Sequence, residues 1–177
     1  MGLVKDNQYK FTTTIKDVVN SSEVLKKYIK PALKKVADRC APQPRDFLLK
    51  KLPKNPICCE VGVWTGEFSK RIVAVSKPGT LYLVDPWKYF GTDYFYNRDK
   101  PEERFQQEAQ DARLKTVKDM FVEEISNGTI KIVRETSDDA LPIFEDDMFD
   151  FVYIDGNHSY EYVKNDISNY YKKTKPG

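Results

Sequence analysis

Histidine is almost missing from this chain: His158 is the only one in 177 residues. A lone His beside one carboxylate does not make a metal site by count, so any metal needs ligands from elsewhere. An excess of charge of one sign is missing too. Lys and Arg number 29 against 27 Asp and Glu, leaving +2, and bulk charge therefore makes no case for nucleic acid. No apolar run approaches the roughly 20 residues of a membrane span, and Met1 to Lys10 is too polar and charged for a signal peptide. Cysteines are few. Cys58 and Cys59 adjoin in a predicted strand, where neighbours point to opposite faces. A structural disulfide between them is not expected, and a reducing, cytoplasmic setting is. Repeats, low-complexity tracts and the G-x-G-x-x-G dinucleotide fingerprint are absent as well.

What is present is a balance of 40% hydrophobic and 32% charged residues, that of one globular domain. Two segments are expected, a lead-in with a basic helix over 1–54 and a core over 55–177. In the first, Ser21 and Ser22 can cap a helix carrying Leu25, Ile29, Ala32, Leu33 and Val36, which Pro31 interrupts. Lys26 to Lys54 holds ten Lys and Arg against Asp38 and Asp46, a solvated face or a patch for an anionic partner. Pro42 and Pro44 mark the loop before the core.

The core reads as alternating strands and helices. "ICCEVGV" is an apolar strand, "EFSKRIVAVSK" a helix with Phe68, Ile72 and Val75 on one face, and "GTLYLVDPW" a second strand. Strand, helix and strand over about 30 residues form a parallel, right-handed βαβ unit. An aromatic loop follows, then a helix opened by Pro101 and running in register to Asn127-Gly128. "TIKIVRETS" is a third strand, "DDALPIF" a short helix or turn, and "MFDFVYIDG" a fourth strand. Tyr160, Val163, Ile167 and Tyr170 mark a closing amphipathic helix. The order predicts an α/β, Rossmann-like three-layer parallel sheet of about four strands behind an N-terminal helical preamble.

Ligands of such sheets bind at the carboxyl ends of the strands. After the first strand, Gly62 and Gly66 permit a tight turn that includes Trp64 and Thr65. Glu60 precedes it, and its carboxylate repels a pyrophosphate and favours a ligand with a cationic amine. That shifts the reading from a nicotinamide dinucleotide to S-adenosylmethionine. Asp85 ends the second strand and can accept both hydroxyls of a ribose, or simply opens a turn before Pro86. Ser137 and Asp138 end the third, where a carboxylate can accept from an adenine amine and Ser137 can cap a helix. Asp155 and His158 end the fourth. His158 is a candidate to take a proton near neutral pH; Asp155 can orient it, bind an amine or hold a divalent cation.

Together these four strand ends resemble the class I S-adenosylmethionine-dependent methyltransferases. "CCEVGVWTGEFS" looks like their first motif and "LYLVDPW" like the second. "FDFVYIDGNHSYEYVKNDISNYYKKTKPG" is similar to the D-G-x-H-x-Y segment of the Methyltransf-24 type, small-molecule methyltransferases of which some need magnesium. The resemblance implies that Glu60, Gly62 and Gly66 surround the methionine end, Asp85 holds the ribose, and Ser137 and Asp138 lie by the adenine. Asp155 stands between cofactor and acceptor as metal ligand or polar anchor, His158 is the general base, and Trp64 and Trp87 are pocket walls. It further implies methyl transfer to a small-molecule acceptor, to an oxygen. Sheets of this family continue past the closing Pro-Gly, so the core is expected to be incomplete, with the fourth strand an open edge at which copies can associate. Two other readings stand beside this one: a NAD(P)-dependent oxidoreductase, and a Rossmann-like module that binds a partner without catalysis.

Overall fold

The computed structural model describes residues 44–91 and 106–176. The expected preamble helix, the proline that opens the long helix and most of the aromatic loop lie outside the described residues. The order is α1 (Asp46–Leu49), β1 (Ile57–Val61), α2 (Glu67–Ser76), β2 (Thr80–Val84), α3 (Gln107–Met120), α4 (Val122–Ser126), β3 (Ile130–Val133), α5 (Ser137–Ala140), a 3-10 turn (Leu141–Ile143), β4 (Phe151–Ile154) and α6 (Tyr160–Lys173).

Four parallel strands form one sheet in the order β3-β2-β1-β4. The apolar run of β1 belongs to a strand covered on both faces. Its Cys58 packs on one side with Ile72 of α2, Leu81 and Leu83 of β2 and Val117 of α3. Cys59 and Val61 pack on the other with Val84, Val133, Phe149 and Tyr170 of α6. The three expected layers follow from this two-residue alternation. Edge-to-face rings consolidate the second core: Phe144 and Phe149 lie 5.0 Å apart, Tyr82 and Phe144 5.2 Å. Asp150, the one polar interruption of the fourth-strand run, accepts from the Ile57 amide at 2.8 Å and from Lys175 Nζ at 2.8 Å.

The compact unit that holds the sheet begins at Arg45, and in it buried Asp46 of α1 pairs with Arg71 of α2, its Oδ1 3.2 Å from Arg71 Nε. Several local expectations are revised. The long helix is two helices. Phe121 leaves helical geometry (φ −121°, ψ 35°) and enters the core. The cap of α5 is Thr136 rather than Ser137, its side chain accepting from the Asp139 amide. In α6 the inward residues are Asp166 and Tyr170, with Val163 half-buried. Tyr160 and Ile167, expected inside, are 74% and 54% exposed. The inward stripe thus runs 163, 166, 170 and carries a carboxyl.

Strand β1 lies between β2 and β4, so the chain reverses direction across the sheet at β1 and leaves a crevice at the carboxyl ends.

Candidate functional site

The turn after β1 is built against the end of β4. Gly62 has φ +87°, and a Cβ there would stand 2.3 Å from the Asp155 carbonyl oxygen and 2.6 Å from Gly156 Cα. Only glycine lets the two strand ends meet. Gly66, at φ +77°, is the left-handed residue that opens α2.

The amides of Gly62, Val63, Trp64 and Gly66 are occupied. Gly62 N donates to Val84 O at 2.8 Å and Gly66 N to Val63 O at 2.9 Å. Val63 N and Trp64 N both donate to Asp85 Oδ2 at 2.9 Å, while Trp87 N donates to Asp85 Oδ1 at 2.8 Å. Asp85 therefore ties the turns after β1 and β2 together. A carboxylate has about four acceptor sites. Three of these are filled by the amides of Val63, Trp64 and Trp87, and Asp85 also lines the cavity.

Glu60 is also placed differently from expectation. It is 2% exposed, faces α2 and accepts from Ser69 Oγ at 2.5 Å. It is absent from the cavity wall. Burial, with smaller contributions from the Asp155 and Asp85 charges, raises its pKa to about 8. Glu60 is thus mostly neutral at pH 7, and repulsion of a pyrophosphate by its charge is not what distinguishes this turn.

At the far side, α6 grips the turn after β3. Tyr170 Oη donates to Ser137 O at 2.9 Å, and Asn165 Nδ2 donates to Asp138 Oδ1 at 2.6 Å. Asp138 is exposed and engaged there, outside the cavity, whereas Ser137 lines it. At the end of β4, His158 Nε2 lies 3.2 Å from Asp155 Oδ1, the convergence expected from their spacing. Both side chains reach solvent at the rim, at 68% and 41% exposure.

These ends enclose a cavity of about 330 Å³, within the range of small-molecule sites. Of the residues named in advance, Gly62, Trp64, Asp85, Ser137, Asp155 and His158 line it. Glu60, Thr65, Gly66, Trp87 and Asp138 do not. Trp87 is 1% exposed in the core and donates from Nε1 to Trp64 O at 3.0 Å. Trp64 presents its ring at the site with the Arg113 guanidinium 3.7 Å from its centroid. Residues that the sequence reading missed include Gln110, Tyr162 and Asp166. Gln110 and Asp166 are 4% and 3% exposed. Buried polar residues on inward helical positions were the available signal. Among the described residues no group of three or more His, Cys, Asp or Glu could hold a metal.

Residues 59–177 match the family model described as "Methyltransferase domain" (Methyltransf_24). No curated protein matches. Among solved structures, a spermidine synthase from Thermotoga maritima is 13% identical, with 75% of this chain and 38% of that one covered, at a TM-score of 0.48. A proposed methyltransferase from Thermoplasma acidophilum is 23% identical over 77% and 48%, at 0.45. A Corynebacterium glutamicum protein is 13% identical over 92% and 68%, at 0.50. At such identities a likeness speaks for the fold alone, and here only the Corynebacterium protein reaches the score at which it does. The chain spans less than half the length of the first two, 38% and 48%.

Proposed function

The chain belongs to the methyltransferase-domain family, and from that premise we propose that it binds S-adenosylmethionine in the strand-end cavity and transfers its methyl group to an oxygen of a small-molecule acceptor. One observation carries the choice of ligand. The carboxylates of Asp85 and Asp155 face the cavity beside the glycine turn, where a pyrophosphate would lie against them. Such surroundings favour an ammonium and a sulfonium over a dinucleotide.

S-adenosylmethionine supplies an electrophilic methyl group on a sulfonium sulfur. The residues of this chain have the remaining tasks. His158 Nε2 lies 3.2 Å from Asp155 Oδ1, so that the carboxylate orients the ring and Nδ1 takes the proton of the acceptor hydroxyl. As the acceptor oxygen bonds to the methyl carbon, the carbon–sulfur bond breaks, its electrons stay on sulfur, and the proton passes from Nδ1 to solvent. Alignment of the two reactants supplies most of the rate. The aromatic rings of Trp64, Phe90 and Tyr162 line the same cavity and are the surfaces offered to the acceptor.

Isothermal calorimetry of the chain with S-adenosylhomocysteine tests the reading. Saturable binding is expected, with NADH giving no heat. NADH binding without S-adenosylhomocysteine binding would overturn it.

A further inference from the structure

Lys88 is a charge to which the scheme above gives no task. It is exposed and lines the cavity, the one Lys or Arg among the described residues that do so. Its ammonium lies 5.4 Å from the centre of the Phe90 ring. Among the described residues it makes no ion pair, whereas Lys70, Arg71, Arg134 and Lys175 each have a carboxylate. Two acids of the cavity are engaged elsewhere, Asp85 by three amides and Asp155 beside His158.

The backbone that carries this lysine is braced from both sides. Gln107, the first residue of α3, accepts from Tyr89 N at 3.0 Å and donates to Trp87 O at 3.2 Å. Arg134, just after β3, donates from Nη2 to Trp87 O at 3.0 Å. Both side chains also donate to Asp111 Oδ1, at 3.0 Å and 2.5 Å. Residues 87 and 89 are thus tied down on either side of Lys88. What stays adjustable is its side chain, a compact charge with three donors on a flexible stem.

A cation fixed beside an aromatic ring and left without a counter-charge calls for an anion from the ligand. The acidic lining does not turn such a ligand away once the ammonium and sulfonium of the cofactor offset Asp85 and Asp155. We propose that the methyl acceptor is a hydroxylated planar compound bearing an anionic group, which Lys88 receives while the rings of Trp64, Phe90 and Tyr162 take its face. The assignment rests on the methyltransferase reading and adds to it the class of acceptor. The other anion within the same scheme is the carboxylate at the methionine end of the cofactor, and the test separates the two.

The 177-residue chain is saturated with sinefungin, an analogue whose extra amine stands in place of the sulfonium. It is then titrated calorimetrically with anionic 4-hydroxybenzoate, neutral 4-hydroxybenzyl alcohol and cationic tyramine. The parent should bind the benzoate about threefold or more tighter than the alcohol, and tyramine most weakly. Lys88→Gln should bring benzoate and alcohol level, and Lys88→Arg should keep the preference. Sinefungin affinity should fall by less than the benzoate's. Thermal unfolding checks that each variant is folded. A preference retained in Lys88→Gln, tyramine bound as tightly as the benzoate, or no binding of any of the three overturns the acceptor class while the cofactor reading stands. A loss of sinefungin affinity in Lys88→Gln as large as that of the benzoate gives Lys88 to the cofactor's carboxylate and overturns it too. No binding of sinefungin or S-adenosylhomocysteine by the parent overturns both.

Discussion

At the scale of single residues, Glu60 shows how far an environment can alter a side chain's meaning. In the sequence it reads as a charge beside a glycine turn. In the fold it is a neutral acid under that turn, its pKa raised from 4.5 to about 8 by burial. The consequence for stability has a definite sign. Between those two values the native chain keeps a proton that the unfolded chain has released, so stability falls as pH rises from about 4.5 to about 8. The slope from this group is at most about 1.4 kcal/mol per pH unit, and above pH 8 it levels off. Glu60→Gln does not titrate and can still accept from Ser69. Urea unfolding at pH 5 and pH 8.5 should show the parent losing markedly more stability than the variant across that interval. Equal losses would mean that Glu60 is ionised in the native state.

At the scale of elements, the site is a set of strand ends held together by side chains. Asp85 carries the largest share, since its three accepted N–H bonds join the turns after β1 and β2. Asp85→Ala should therefore destabilise the chain by roughly 2 kcal/mol or more. Asp85→Asn, with one acceptor oxygen left, should fall between, and affinity for S-adenosylhomocysteine should follow the same order. A melting temperature for Asp85→Ala equal to the parent's would show that the turns hold without it. The βαβ alternation, the parallel sheet and the pairing of Asp155 with His158 were legible in the sequence, because periodicity and a three-residue spacing are local facts. The place of Asp166 was not. One position's rotation of α6 puts it inside and Ile167 out, and that rotation is set by Tyr170 reaching Ser137 from a helix 33 residues further along. The break at Phe121 was hidden for a similar reason: a helical apolar pattern continues across it, and only packing requires the ring to turn inward.

At the scale of the whole molecule, β1 is the strand on which everything else depends. It pairs with β2 on one side and β4 on the other, and both of its cysteines are completely buried. Burial raises both thiol pKa values, that of Cys58 to about 12. Neither exists as thiolate in the folded chain near neutral pH, and neither can be reached by a reagent. Modification by a thiol dye must wait until the sheet itself opens. Two of the chain's three cysteines should accordingly label slowly, at a rate that rises steeply with urea and falls when S-adenosylhomocysteine is added. Rapid labelling of all three in native buffer would contradict this burial. The central strand thus contains an intrinsic chemical clock: it times how often the domain comes apart, and it reads the binding of any ligand that holds the strand ends together.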